Sequence, residues 1–209
     1  GPDVGFVALV QPNEYVAKPL PPLGELTPAQ LVALMPMAGS ATLLHVQQEL
    51  LRRDANDASE PLVALLRNES ADLPARIAAL FTLKQMYGAG ANGWLAAMAF
   101  KPGAMQEFAL KALTDRLGEI SGLDLEKLVA AIDSKDPRVR AQALISARRL
   151  AETGTLSHAD GERLAKAVLP YSVVRNTDGS LRMERVPHDK GDEPRVIPVL
   201  AVETLIALG

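Results

Sequence analysis

Residues 136–154 read DPRVRAQALISARRLAETG and contain the signals for both the start and the end of a helix. Asp136 predicts an N-cap, Pro137 is typical of the first helical position, and Gly154 is typical of the residue after a helix. Asp136 and Arg140 lie four residues apart, a spacing that predicts an ion pair on one face. This segment therefore predicts a complete helix of about four turns.

The apolar side of this helix is rich in alanine. Its stripe, at steps of four, four and three, consists of Val139, Ala143, Ala147 and Leu150. A single helix with such small side chains buries too little surface to offset its loss of conformational entropy. Small side chains do let neighbouring helix axes approach closely, so the stripe predicts that this helix is packed between others.

Similar helices recur along the chain. Aligned on that segment, the second helices of five helical pairs start at Leu43, Ala75, Gln106, Val139 and Ile197, with separations of 32, 31, 33 and 58 residues. The second helices are predicted at 42–54, 74–87, 104–117, 136–152 and 194–208. The first helices are predicted at 27–35, 59–68, 91–100, 123–133 and 157–169. A near-constant period predicts an all-α, right-handed α-solenoid of about five pairs over 27–209.

Two segments depart from the repeat. Residues 1–26 contain five of the 15 prolines and predict an extended arm or linker, with GFVALV as a short strand. The long last step corresponds to one repeat plus roughly 25 residues, which places an insert at 170–194. There SVVR and LRMERV alternate around the turn signal NTDG, which predicts a β-hairpin over 171–186.

The starts of two first helices carry cap-and-proline signals. Thr27 stands before Pro28, and Ser59 stands two residues before Pro61. Hydroxyl side chains favour the N-cap position, and proline is tolerated in the first turn. Thr27 and Ser59 are therefore the predicted N-caps.

Composition limits the chemistry that this chain can perform. Of 209 residues, 48% are hydrophobic but only 4% aromatic, which favours close-packed helices over a β-sandwich. The absence of cysteine excludes disulfides, thiolate catalysis and zinc–cysteine sites in this sequence. No apolar run reaches about 18 residues, the length that indicates a membrane span.

No motif in the sequence indicates an enzyme. There is no glycine-rich phosphate loop, no nucleophile elbow and no recognisable carboxylate pair, so we expect no catalytic residue and no cofactor. His45 is predicted to pack in a helix, and His158 lies at a helix start. His188 is near several carboxylates, but the spacing favours a solvated loop over a metal site.

Arginines off the apolar stripe form the candidate partner-binding surface. The second helices contain 11 Lys and Arg against 7 Asp and Glu, and the first helices contain 4 against 6. The candidates on the fourth second helix are Arg138, Arg148 and Arg149, and those in the insert are Arg175, Arg182 and Arg185. With a net charge of −3, a protein partner is favoured over nucleic acid, which usually binds a dense basic stripe. A nucleic-acid-binding or DNA-repair domain is the alternative.

The run Asp136-Pro137-x-Val139-Arg140-x-x-Ala143-Leu144 resembles the signature of HEAT-type repeats, in the short form of about 30 residues per unit. PARIAALFTL and DEPRVIPVLAVETLIAL are weaker copies of it. The resemblance covers roughly 27–209. It implies an armadillo-like, non-catalytic scaffold or protein-interaction module.

A second resemblance concerns the order of segments. PPLGELTPAQLVALM, HVQQELLRR, ARIAALFTL and IPVLAVETLIAL are similar to the helical region of planctomycete-type, multi-domain sugar or sorbosone dehydrogenase-like proteins. In those bacterial proteins a β-propeller precedes HEAT repeats and often a cytochrome c domain. The resemblance implies an accessory domain of a secreted or periplasmic redox protein, whose redox residues lie elsewhere. A cytoplasmic location is the other interpretation.

Both ends of the sequence predict a piece of a longer protein. The Gly-Pro start is typical of the residues that remain after removal of an affinity tag. The final helix, with Glu203 as its one charged residue from Val196 to Leu208, is apolar nearly all round, as in a protein interior. We therefore expect a further element of a longer native chain to cover it; cover by the N-terminal arm or by a second copy of the chain is the alternative.

Overall fold

The computed structural model describes residues 21–53, 56–173 and 193–209, with side chains from 196 onward in the last range. Within these ranges the chain is all-helical and contains no strand. The predicted hairpin falls mainly on 174–192, outside the described residues. Its predicted first residue, Tyr171, ends a 3-10 turn that starts at Leu169, so no strand begins there.

Ten α-helices follow one another in the described ranges. They are α1 (Pro28–Leu34), α2 (Ser40–Arg52), α3 (Ser59–Arg67), α4 (Leu73–Tyr87), α5 (Asn92–Ala99), α6 (Gln106–Thr114), α7 (Leu125–Ile132), α8 (Pro137–Glu152), α9 (His158–Val168) and α10 (Glu193–Leu208). Each odd-numbered helix contacts the even-numbered helix that follows it. The five predicted pairs are therefore present.

The even-numbered helices also contact one another in chain order, from α2 through α4, α6 and α8 to α10. The core lies along these contacts and consists mainly of Leu, Ala, Val and Met, with Ile132. In α8, Val139, Ala143 and Ala147 are buried, as the alanine stripe predicted. The alanines let α8 pack against both α6 and α10, which supply the surface that α8 alone lacks.

A buried hydroxyl recurs at the same place in four even-numbered helices. Thr82, Thr114, Ser146 and Thr204 are at most 1% exposed, and their spacings of 32, 32 and 58 residues repeat the period of the helices. Thr114 Oγ1 lies 3.1 Å from Ser146 Oγ, and Thr204 Oγ1 donates to the Leu144 carbonyl at 3.1 Å. These bonds satisfy the last three hydroxyls inside the core and link α6 to α8 and α8 to α10.

Caps define several helix starts. Asp136 Oδ1 accepts the backbone N–H of Arg138 at 2.9 Å, and Thr27 forms a reciprocal capping box with Gln30. These two predicted caps are confirmed. The predicted cap at Ser59 is wrong, because a 3-10 turn (Asn56–Ala58) runs directly into α3 and makes Ser59 the first helical residue.

The last part of the predicted arm is a 3-10 turn (Leu23–Glu25) packed on α2. Arg53 fixes it, because its Nη1 donates to the Leu26 carbonyl and its Nη2 to the Leu23 carbonyl, each at 2.6 Å. Glu49 accepts from Nε of Arg53 at 2.6 Å and Nε of Arg52 at 2.8 Å. The edge of α2 is thus covered by the chain that precedes α1.

This cluster predicts an acid-sensitive contribution to stability. Hydrogen bonds from Arg52 and then Arg53 lower the pKa of Glu49 from its ordinary 4.5 to about 2. A lowered carboxyl pKa stabilises the fold above the ordinary value, and this contribution disappears as pH falls from about 4.5 towards 2. In Glu49→Gln, the melting temperature should therefore fall less steeply over that range than in wild type. Parallel melting-temperature profiles for the two proteins would contradict this assignment.

Candidate docking surface

The outward side of α10 is the largest group of exposed aliphatic side chains on any one described helix. Val196, Val199, Val202 and Ile206 are between 43% and 75% exposed. They recur at steps of three, three and four, so they form a stripe along one side of the helix. On the opposite side, Ala201 and Thr204 are fully buried against the array.

A salt bridge borders this stripe. The guanidinium of Arg148 in α8 contacts the carboxylate of Glu203. Glu203 is the one charged residue among the described side chains of α10. Arg148 Nε also lies 3.5 Å from Glu152. Glu203 is therefore paired within the chain, so among the side chains described from Val196 onward the stripe has no unpaired charge to oppose an apolar partner.

A cleft of about 690 Å³ opens where α8, α9 and α10 meet near the ends of α8 and α10. Ala151, Leu156, Ala165, Leu205 and Leu208 supply apolar lining, and His158 and Glu162 supply a polar edge. His158 Nε2 lies 3.4 Å from Glu162. None of the four stripe residues lines this cleft, and Leu205 and Leu208 lie on the side of α10 away from Val196 and Val199.

The predicted arginines of α8 face two different neighbours. Arg138 Nε lies 3.5 Å from Glu107 in α6, and Arg148 contacts Glu203 in α10. Arg149 donates to the carbonyls of Thr114 and Asp115 at the end of α6, the latter at 2.6 Å. All three arginines therefore make contacts between helices.

The other three predicted contact residues, Arg175, Arg182 and Arg185, lie outside the described residues. His188 lies outside them as well. His45 is exposed, so its predicted packing role is wrong. Its ring lines a shallow surface cleft beside Leu23 and Glu49. The described residues contain no group of three or more His, Asp or Glu side chains that could hold a metal ion.

The predicted ion pair between Asp136 and Arg140 is not formed. Arg140 Nη2 donates instead to the Ser134 carbonyl at 2.6 Å, and its guanidinium stacks 4.8 Å from the centroid of Tyr171. Tyr171 donates its hydroxyl proton to Asp133 at 2.5 Å, and burial together with this bond raises the pKa of Tyr171. The Ser134 carbonyl and the Tyr171 ring thus take the place of the predicted carboxylate partner, and Nε of Arg140 is buried without a hydrogen-bond partner.

The fold contains a buried polar cluster that no sequence pattern predicted. Lys84, in the last turn of α4, has a side chain only 3% exposed. Its Nζ lies 2.9 Å from Glu119 Oε2, 3.1 Å from Asn92 Oδ1 and 3.3 Å from the Gly88 carbonyl oxygen. The ammonium group donates hydrogen bonds to Asn92 and the Gly88 carbonyl and forms a salt bridge with the Glu119 carboxylate. We refer to Lys84, Asn92 and Glu119 as the Lys84 cluster.

The Lys84 cluster joins three parts of the chain. Asn92 Nδ2 donates to the carbonyls of Glu119 and Ser121, at 2.8 and 3.2 Å, and hydrogen bonds from Lys84 and then Arg116 lower the pKa of Glu119. Gly88 has φ +52°, and a Cβ there would lie 3.3 Å from the Glu119 carboxylate. The cluster is tightly closed around the lysine, so it fits a structural role.

Comparisons with protein-family models, with curated proteins and with solved structures give no match. In the described part of the chain, no helix has the length and apolar character that crossing a bilayer requires.

Proposed function

We propose that this chain is a non-catalytic HEAT-like repeat module, a right-handed α-solenoid that docks a protein or a neighbouring domain of the same protein. The pairwise order of the helices, their sequential contacts and the recurring buried hydroxyls support the repeat assignment. The single observation that carries the docking function is the apolar stripe of α10. Exposed contiguous apolar surface of this kind marks interaction sites in soluble proteins.

The parent protein is part of the same proposal. Through its resemblance to the helical region of sugar or sorbosone dehydrogenase-like proteins, we assign this module as an accessory domain of a bacterial secreted or periplasmic redox protein. The docked element is then another domain or subunit of the parent protein.

The nucleic-acid alternative gains no support from the arginine contacts. Duplex binding needs guanidinium and ammonium groups aimed at phosphates along one surface. Arg138, Arg148 and Arg149 instead contact Glu107, Glu203 and the end of α6. Each of the three already has a partner within the chain, although Arg138 is 75% exposed, so protein docking is the function that we propose.

Photo-crosslinking tests the docking function. A photoreactive amino acid at Val202, on the stripe, should give a discrete protein adduct in cells that produce the native protein. Leu44, which is 53% exposed on α2, is the control position because it lies outside the stripe. Adducts from Val202 that are no more discrete than those from Leu44, or that contain nucleic acid, would contradict the proposal.

Charge on the stripe should abolish docking without unfolding the chain. In Val199→Lys with Ile206→Lys, we expect the Val202 adduct to disappear because two ammonium groups oppose apolar burial. Stability should change by less than about 0.5 kcal/mol per site, since both side chains are exposed and lysine is a good helix former. Thermal melts and crosslinking yields measure the two effects. The matched control is Leu44→Lys, which should change neither.

A further inference from the structure

A second cleft, of about 470 Å³, lies between the second and third helical pairs. It is lined by Arg67 at the end of α3, Arg76 in α4, and Lys101 in the connection from α5 to α6. Glu69 is the one carboxylate among the lining residues, so the side chains around this cleft have an excess of positive charge. Its apolar lining includes Met98 and Met105.

This cleft already holds a carboxylate from the chain itself. Lys101 Nζ donates to Glu69 Oε1 at 2.5 Å, and both side chains are more than half exposed. This hydrogen bond, with a smaller contribution from the charge of Arg76, lowers the pKa of Glu69. An exposed pair of this kind is weak, so another carboxylate can replace Glu69 at low cost.

Arg76 is oriented to receive such a group. Its Nε donates to the Leu66 carbonyl at 3.1 Å, which fixes the plane of the partly buried guanidinium. Among the described residues, no hydrogen bond engages its two terminal nitrogens. In contrast, Arg53 and Arg149 use their terminal nitrogens to bind carbonyls of the same chain. A planar guanidinium with both terminal nitrogens available matches a carboxylate bidentately.

We propose that this cleft binds an acidic side chain within a partly apolar peptide segment of a protein partner, and that Glu69 occupies the site when no partner is bound. Arg67, Arg76 and Lys101 supply the charge, and the partly exposed Met98 contacts a flanking apolar side chain. The proposal extends the docking function but uses no residue of the α10 stripe. Either surface can therefore fail its test without affecting the other.

The test is a chemical-shift titration by NMR with the peptide acetyl-Leu-Glu-Glu-Leu-amide. We expect shifts at residues around the cleft, and no binding of the matched Leu-Gln-Gln-Leu peptide. Glu69→Ala should tighten binding about threefold, because the internal competitor is gone. Arg76→Met should weaken it about tenfold, the usual effect of losing a charged hydrogen bond.

Two further variants separate loss of the binding site from loss of folding and from a general loss of positive charge. Arg67→Met alters an exposed cleft residue without removing the bond to Leu66, so it tests the site even when Arg76→Met fails to fold. Arg138→Met removes another exposed arginine, outside the cleft, and should leave the affinity unchanged. Equal binding of the glutamine peptide, weaker binding by Glu69→Ala, or equal losses in Arg67→Met and Arg138→Met would each overturn the proposal. Preferential binding of inorganic phosphate over the glutamate peptide, with no effect of Glu69→Ala, would also overturn it.

Discussion

Replacing Lys84 by methionine should lower the stability of the protein by about 3 kcal/mol, because the acceptors of a buried ammonium group lose their donor. The side chain of Lys84 is 3% exposed, and its Nζ contacts Glu119, Asn92 and the Gly88 carbonyl. For a chain of this length the melting temperature should fall by about 6–12 °C. Thermal melts followed by circular dichroism at 222 nm measure the change.

Arg116→Met is the matched control for this variant. Arg116 contacts the same carboxylate of Glu119, with Nη1 and Oε1 3.0 Å apart, but its side chain is half exposed. Loss of an exposed pair should cost less than about 1 kcal/mol. Similar melting temperatures for Lys84→Met and Arg116→Met would show that the Lys84 cluster does not stabilise the fold.

Leu110→Ala should destabilise the protein by about 3 kcal/mol, because it creates a cavity in the contact between α6 and α8. Leu110 is fully buried, and its carbonyl accepts hydrogen bonds from Thr114 and Ser146. In a stacked array each unit depends on its neighbours, so the loss should spread to α4 and α8. Urea unfolding measures the total loss, and hydrogen exchange of the backbone amides locates it.

Leu44→Ala is the control for Leu110→Ala, since it removes the same atoms from an exposed position of α2. It should change stability by less than about 0.5 kcal/mol. If Leu110→Ala affects exchange in α6 alone, then the even-numbered helices are not energetically coupled. That result would contradict the stacked packing, even with an unchanged helical content.

The helical pairs were predictable because their signals are local. Apolar periodicity, together with the caps at Thr27 and Asp136, predicted all five pairs to within a few residues. The cap at Ser59 was wrong because a 3-10 turn before α3 is set by contacts that the sequence pattern does not encode. The buried hydroxyls recur at the same period as the helices. The alignment of the second helices therefore already contained the pattern that would have predicted them.

The polar contacts were less predictable because they depend on tertiary packing. The two side-chain partners of Lys84, Asn92 and Glu119, are 8 and 35 residues away in sequence, so no helical spacing relates them to Lys84. Arg140 had a carboxylate at the right helical spacing but binds the Ser134 carbonyl and the Tyr171 ring. The sequence predicted that α10 is apolar nearly all round. It could not predict which side of α10 is exposed, because packing against α8 decides that.

The most direct test of the docking function uses the absence of cysteine from the sequence, so that Ile206→Cys introduces a single thiol. In the purified protein this thiol should react rapidly with a maleimide, since Ile206 is 75% exposed. In an extract of cells that produce the native protein, a bound partner should slow the reaction at least about tenfold. The control, Leu44→Cys, should react equally fast in both. Equally fast labelling of Ile206→Cys in the purified protein and in the extract would contradict docking at α10.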